Sequence, residues 1–306
     1  MDVQTTNPTN EQHRHTPNEP EKTLVQKALP VLFVLIGIIL LSYPLVATIT
    51  ANLQQSSKAQ VYSKQTDTLD PELINQAREQ AAIWNTEQTD GPILDPWLAR
   101  VREDNEIYQH YLNQLNLTEV MATVSIPKIN SLLPIYHGTE ESTLHKGIGH
   151  LFGTSLPIGG ESTHSVLTGH TGLSQATLWD NLIDVHEGDA VYVNTLGETM
   201  KYEVTGTEIV LPEETDTLRV EEGKDKLTLI TCTPYAVNSH RLLVHAHRVP
   251  MDEKDEQILS GAYFPWQWWM TLVVAVLALV LLTILTIAIR NLRRKVRQHK
   301  GSSHND

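Results

Sequence analysis

Two long apolar stretches lie near the ends of the chain, at residues 28–49 and 265–289. Each exceeds the roughly 20 residues that a helix needs to cross the core of a bilayer. No charged residue occurs between Lys27 and Lys58. A cleaved signal peptide is the alternative for the first stretch, but its apolar run is longer than the roughly 7–15 residues of a signal sequence. We therefore predict two membrane-spanning helices.

The region between the spans changes from a helical pattern to a strand pattern. Residues 50–118 predict helices, and the Asp-Pro pairs at 70–71 and 95–96 each resemble a helix start with an aspartate N-cap. Residues 119–250 contain short apolar runs separated by turns, such as LLPIY, HSVLTG, AVYV, KLTLITC and RLLVHAHRV. Seven or eight short strands without long intervening helices predict a barrel or a sandwich, and so a mainly β fold.

Three polar segments complete the predicted domain plan. We predict that residues 1–27 form a disordered tail, that residues 251–264 form a linker, and that residues 290–306 form a basic tail. Aromatic residues cluster at the start of the second span and Arg/Lys residues follow its end, and basic flanks mark the cytoplasmic side of a membrane. We therefore expect both termini in the cytoplasm and the region between the spans outside the cell.

The net charge and the cysteine content exclude some classes of function and of site. The net charge is −13, and the acidic excess lies between the two spans, which argues against nucleic acid as a partner. The single cysteine excludes an internal disulfide and a cysteine-based zinc site. A cysteine-poor outer region also suits a Gram-positive surface protein.

The single cysteine, Cys232, is the first candidate for chemistry. It ends the predicted strand KLTLITC, and Arg241 begins the strand RLLVHAHRV. If these strands pair as a hairpin, the two residues lie nearly opposite each other, and strand parity turns both away from the apolar face. An exposed thiol beside a guanidinium ionises more readily than an isolated one. The alternative is a small, inert, buried cysteine.

A thiolate enzyme also needs a proton donor for its leaving group, and histidine is the usual one. Of the 14 histidines, His170 in LTGHTGL is the best placed, because it follows an apolar run as a strand-end loop residue would. An ordinary surface-loop histidine is the alternative. His245 and His247 share a predicted strand face, for which a solvated surface is favoured over a metal site.

Two segments of the chain resemble a known family. The segment TLITCTPYAVNSHRLLVHAHR resembles the active-site signature of class C, pilus-assembling sortases. The segment from SIPKINSLLPIYHG to HSVLTGHTGL resembles the preceding half of the same catalytic domain, so that the likeness covers residues 119–250. It implies an eight-stranded sortase β-barrel with N-terminal helices and a lid, flanked by two transmembrane helices.

The resemblance also assigns site residues. It implies that Cys232 is the catalytic nucleophile, His170 the catalytic histidine and Arg241 the catalytic arginine.

The resemblance further implies a lid formed by Asp95, Pro96 and Trp97, in which the acid approaches the catalytic residues and the aromatic ring covers the groove. A plain helix cap at Asp95 is the alternative. Thr171 departs from the family pattern, which often has arginine there, and we expect the difference to affect the rim of the site.

The implied activity is that of a cysteine transpeptidase. Cleavage of an LPxTG-like sorting signal on a pilin would leave a thioester on Cys232, and a lysine of another pilin would then accept the acyl group. The implied partners are pilin subunits and membrane lipid, and no metal or organic cofactor is required. A housekeeping sortase that anchors proteins to the cell wall, a cysteine hydrolase and a non-enzymatic surface module are the alternatives.

Overall fold

A computed structural model describes residues 24–87, 95, 97, 102, 104–261 and 263–302 of the chain. Within them, the α-helices are α1 (Leu24–Thr66), α2 (Pro71–Glu87), α3 (Glu106–Leu112), α4 (Glu141–Leu144), α5 (Glu253–Leu259) and α6 (Trp268–Ser302). The strands are β1 (Ala122–Ile126), β2 (Ser131–His137), β3 (Ile148–His150), β4 (Thr163–Thr168), β5 (Ala190–Thr195), β6 (Glu198–Val210), β7 (Asp225–Thr233) and β8 (His240–Val249).

The strands close into a barrel in the order β1-β2-β3-β4-β7-β8-β6-β5. Strand β1 pairs with both β2 and β5, which completes the ring. Neighbouring strands are antiparallel except for the pairs β2–β3 and β4–β7, which are parallel. The eight-stranded barrel implied by the family resemblance is therefore confirmed, and a two-sheet sandwich is excluded.

Both faces of the barrel wall are buried around β7 and β8. Leu227 and Leu229 of β7 lie with Val244 of β8 in the core inside the barrel. Because successive side chains of a strand point to opposite faces, Ile230 and Leu243 lie outside. There they belong to an outer cluster formed by Leu151, Val166, Leu218, Ile230 and Leu243. An apolar outer face has to be covered by other parts of the chain.

Several helices and strands were not predicted, or have other bounds than predicted. Strand β3 has only three residues, too few to show an alternating pattern. Helix α5 lies within the predicted linker and is stabilised by a capping box at Asp252. Helix α1 begins inside the predicted disordered tail, of which residues 1–23 lie outside the described residues, and helix α6 continues through the basic tail to Ser302.

The N-terminal helices are held to the barrel by side chains that bond to the main chain. In α1, the Tyr62 hydroxyl donates to the carbonyl of Met121 at 2.9 Å and accepts from the amide of Leu196 at 2.8 Å. In α2, the Asn85 side chain donates to the carbonyl of Leu156 at 3.2 Å and accepts from its amide at 2.7 Å. These bonds satisfy buried polar groups that would otherwise be costly.

Two helices are long and apolar enough to cross a membrane. Residues 28–66 of α1 have a mean hydropathy of 2.6 in their most apolar window, and residues 268–294 of α6 reach 3.2. By length and composition, these two helices agree with the two predicted spans in number and in approximate position.

We predict that Tyr62→Phe lowers the free energy of unfolding by about 1–3 kcal/mol, because the amide of Leu196 and the carbonyl of Met121 lose their partner. Urea unfolding of the full chain in detergent micelles, followed by circular dichroism, measures the change. Tyr235→Phe is the matched control, since Tyr235 is 58% exposed. Equal effects of the two substitutions would contradict the proposed anchoring role.

Candidate active site

The β7–β8 hairpin brings Cys232 and Arg241 together as predicted. The two residues are directly paired in the antiparallel register, next to the pair Thr233–His240 at the end of the ladder. Cys232 has the same strand parity as Ile230, and Arg241 has that of Leu243. Both side chains therefore leave the barrel core and project towards the outer cluster.

The parallel pairing of β4 with β7 brings in His170. The register pairs Thr168 with Ile230, so that His170 and Cys232 each lie two residues further along in the same direction. The main chain continues this pairing, since the amide of Gly169 donates to the carbonyl of Ile230 at 3.0 Å. Three adjacent strands therefore present the histidine, the cysteine and the arginine side by side.

Gly169 allows the main chain before His170 to pass close to neighbouring side chains. A Cβ atom there would lie 2.7 Å from the side chains of both Ile148 and Trp179. Its carbonyl accepts a hydrogen bond from the hydroxyl of Thr231 at 2.8 Å. The residue before the histidine is therefore held on both sides, and a side chain there would displace the strand.

Asp95 and Trp97 lie against Arg241 and His170 on this face of the barrel. The Asp95 carboxylate accepts from Nε of Arg241 at 2.7 Å and from its Nη2 at 3.1 Å, and both side chains are about 5% exposed. The Trp97 ring lies 4.6 Å from the guanidinium carbon, 6.2 Å from the His170 ring, and packs against the outer cluster. Charge pairing, cation–π contact and apolar burial together hold these two residues, hereafter the cover, in place.

Asp95 makes a local turn in addition to its contact with Arg241. Its Oδ1 atom also accepts from the amide of Trp97 at 3.0 Å, the turn that an aspartate cap makes. The same bond at Asp70 joins its Oδ1 to the amide of Glu72 at 3.0 Å at the start of α2. Asp95 differs in that its carboxylate also holds Arg241. Pro96, the third predicted lid residue, lies outside the described residues.

The Cys232 thiol leaves the barrel core but is buried, as the lid implied by the family resemblance would leave it. Cys232 is 8% exposed, and burial raises the pKa of its thiol to about 11. Arg241 lowers this pKa, but Asp95 raises it and shares the same guanidinium. Burial also lowers the pKa of His170, against the effect of Glu141. Both the thiol and the imidazole are therefore neutral at pH 7 in this closed arrangement.

Sequence reasoning missed three residues around His170. Oε1 of Glu141 lies 3.5 Å from Nε2 of His170 and 2.9 Å from Nε2 of His145. On the other side, Asp180 accepts from the hydroxyl of Thr171 at 3.0 Å and from the amide of Gly172 at 2.7 Å. Thr171, expected at the rim, is thus buried and anchors the loop that follows the histidine. These contacts depend on tertiary folding, and no local pattern indicates them.

The solvated surface predicted for His245 was wrong. Its Nδ1 bonds to the hydroxyl of Thr228 at 2.9 Å and its Nε2 to Glu208 at 3.0 Å. The same hydroxyl bonds to Nε2 of His164 at 2.7 Å. His245 belongs to a polar chain across β4, β7, β8 and β6, whereas His247 is exposed as predicted.

We predict that Asp95→Ala combined with Trp97→Ala increases the rate at which a thiol reagent labels Cys232 at pH 7. Opening the cover rehydrates the thiol and frees Arg241, and each unit of lowered pKa raises the thiolate fraction about tenfold. Asp104→Ala is the matched control, since it breaks an exposed pair with Arg102. Unchanged labelling of the double variant would favour a plain helix cap.

Asp180 generates a prediction about pH. Burial raises the pKa of its carboxyl from 3.8 to about 6, so its contribution to stability is complete below pH 4 and is lost as the pH rises through 6. Asp180→Asn keeps the acceptor and removes the ionisation. We expect it to match the native chain at acid pH and to be more stable by about 1–3 kcal/mol at pH 7.

Unfolding of the two chains across this pH range measures the difference, and Asp184→Asn, at an exposed position, is the control. A stability difference for Asp180→Asn that stays constant with pH would contradict the assignment.

Comparison with known proteins agrees with this geometry. The Sortase family model, described as a sortase domain, matches residues 124–249. This range runs from β1 to the last residue of β8 and contains Cys232, His170 and Arg241.

Solved structures with similar sequences have the same fold. Sortase C-1 from Actinomyces oris is 58% identical, covering 59% of this chain and 100% of that one with a TM-score of 0.58. Sortase A from Corynebacterium diphtheriae is 50% identical over 68% and 97% of the two chains, with a TM-score of 0.60. Sortase C1 from Streptococcus agalactiae is 39% identical over 68% and 99%, with a TM-score of 0.58.

Curated relatives are more distant. Sortase D from Bacillus subtilis is 30% identical over 129 residues, which are 41% of this chain and 62% of the relative. The chain thus spans about 60% of the length of the curated relatives that it matches. The solved relatives, by contrast, are covered almost whole at high identity, and the chain belongs to the sortase family.

Proposed function

We propose that this chain is a class C sortase, a cysteine transpeptidase that joins pilin subunits, with residues 119–250 as its catalytic barrel. The observation that carries the proposal is the set of three side chains Cys232, His170 and Arg241 on adjacent strands, covered by Asp95 and Trp97. The cover favours a pilus-assembling enzyme over a housekeeping sortase or a simple hydrolase, because it closes the site to water until a specific substrate arrives.

Substrate entry has to begin with separation of Asp95 from Arg241. Both guanidinium nitrogens that face the carboxylate are occupied in the closed arrangement, at 2.7 and 3.1 Å. Once freed, the two nitrogens can donate hydrogen bonds to a carbonyl oxygen of the sorting signal. Rehydration of the opened site lowers the pKa of the Cys232 thiol and raises that of the His170 imidazole, because burial is the main cause of both shifts.

The first half-reaction transfers the acyl group to sulfur. The Cys232 thiolate attacks the threonine carbonyl of an LPxTG-like signal, and Arg241 stabilises the oxyanion, an interaction typically worth a few kcal/mol of barrier. The His170 imidazolium donates its proton to the departing amine as the C–N bond breaks. A thioester on Cys232 and a neutral His170 remain.

The second half-reaction forms the product. The ε-amine of a pilin lysine attacks the thioester carbonyl, and the neutral His170 accepts the proton that the amine loses. The C–S bond breaks, an isopeptide bond remains, and the thiolate–imidazolium pair is restored. All atoms and protons come from the two substrates and the site residues, so the proposed cycle uses no metal or organic cofactor.

Titles of solved relatives support the choice of substrate. One is sortase C1 of a group B Streptococcus pilus island, 38% identical, and another describes pilin substrate specificity in sortase C of Streptococcus pneumoniae, 35% identical. A lid mutant has been solved for Corynebacterium diphtheriae sortase A, 48% identical. We infer that pilin subunits are the partners of this chain too.

We also propose a two-span topology, with both termini in the cytoplasm and the barrel outside the cell. Trp266, just before helix α6, and Trp268, its first residue, are both exposed and suit the headgroup layer. Arg290, Arg293 and Arg294 follow the apolar part of α6, and such basic flanks mark the cytoplasmic side. Membrane lipid is then the second partner, and the site faces pilins that have left the cell.

We predict that Cys232→Ala abolishes both cleavage of a sorting-signal peptide and formation of the thioester. His170→Ala should lower the rate by about 10²–10⁴-fold through loss of proton transfer, and Arg241→Ala by about 10²–10³-fold through loss of the oxyanion donor. Mass spectrometry of the full chain in micelles, incubated with the peptide and a lysine acceptor, detects the adduct on Cys232 and the cross-linked product.

These substitutions are best made in the Asp95→Ala/Trp97→Ala chain, so that opening of the cover does not limit the measured rate. His186→Ala and Arg102→Ala, at exposed positions, are the matched controls. Residual turnover by Cys232→Ala would overturn the nucleophile assignment. Release of hydrolysed peptide alone, with pilin lysine present, would favour a hydrolase.

A further inference from the structure

Beside the proposed catalytic histidine lies a cluster of three potential metal ligands. Glu141 begins α4, His145 follows that helix four residues later, and His170 comes from the end of β4. Glu141 lies between the two imidazoles, at 2.9 Å from Nε2 of His145 and 3.5 Å from Nε2 of His170. The three ligand atoms all lie within 4.8 Å of one another, and the imidazole ring centres are 5.5 Å apart.

The spacing fits a tetrahedral ion. With bonds of about 2.0–2.1 Å, neighbouring ligands of Zn²⁺ are separated by roughly 3.3 Å, and the two measured separations, 2.9 and 3.5 Å, lie on either side of that value. Glu141 and His145 are 59% and 54% exposed, so their side chains are free to make the remaining adjustment. Two imidazoles and one carboxylate also favour Zn²⁺ over Ca²⁺ or Mg²⁺, which prefer oxygen.

One ligand atom is buried with only a weak polar contact. Among the described residues, Nε2 of His170 has no well-formed hydrogen bond, and its polar neighbour is Oε1 of Glu141 at 3.5 Å. A buried polar nitrogen without a hydrogen bond is costly. A metal ion bonded to that nitrogen would satisfy it.

We propose that Glu141, His145 and His170 form an inhibitory Zn²⁺ site, with water as the fourth ligand. Glu141 and His145 are exposed, so that two of the three ligands are accessible to an ion from the side of α4. Bound at Nε2 of His170, Zn²⁺ excludes a proton from that nitrogen and holds the ring towards α4. The inhibitory consequence rests on the proposed function, whereas Zn²⁺ binding does not.

The test is calorimetric titration of the full chain in micelles with Zn²⁺. Because the chain has 14 histidines, other sites contribute heat, and the informative quantity is the difference between variants. Glu141→Gln and His145→Ala should each weaken one site by about tenfold or more. Glu140→Gln, at the neighbouring exposed glutamate, is the matched control, and Cys232→Ser tests whether the thiol is a ligand.

A second measurement follows thioester formation with and without Zn²⁺. We expect Zn²⁺ to inhibit the native chain, EDTA to restore its activity, and His145→Ala to retain metal-free activity while resisting Zn²⁺. Equal Zn²⁺ affinity of the native and His145→Ala chains would overturn the site, as would loss of binding in Cys232→Ser. Binding without inhibition would overturn the regulatory role alone. Absence of activity in metal-free protein would instead count against the proposed function.

Discussion

The buried ion pair between Asp95 and Arg241 is the interaction on which the resting site depends. Its two hydrogen bonds, at 2.7 and 3.1 Å, occupy the donors that would otherwise face the thiol and the substrate. Removing one partner from such a pair leaves a buried charge uncompensated, at a cost of about 3–5 kcal/mol. In the proposed mechanism, opening needs a replacement for the carboxylate, which an acyl oxygen of the substrate or incoming water provides.

The barrel explains why a cover is needed. Strands β4, β7 and β8 place His170, Cys232 and Arg241 on the outer face of the wall, level with the outer cluster, rather than in the core. An apolar outer face cannot remain in water at low cost, and Trp97 packs against it. Trp97 thus shields the apolar cluster on the same face from which the Cys232 side chain projects.

Local sequence rules predicted the pairing of Cys232 with Arg241, because eight intervening residues and strand parity determine a hairpin and its faces. They also placed His170 at a strand end. The lid was implied by family resemblance alone. Local rules alone favoured an exposed thiol beside Arg241, and only the resemblance pointed to its cover, since Trp97 lies far away in the chain. Glu141 and Asp180 were missed for the same reason, and strand β3 because it is too short to have a pattern.

The most direct test of this account is the pKa of Cys232, measured from the ultraviolet absorbance of its thiolate as the pH is raised. Cys232→Ser provides the baseline, because the chain has a single cysteine. With the cover in place, the thiol should remain protonated until about pH 11, and Asp95→Ala should shift its titration to lower pH by one unit or more. Identical titrations of the native and Asp95→Ala chains would contradict the claim that this ion pair keeps the Cys232 thiol protonated.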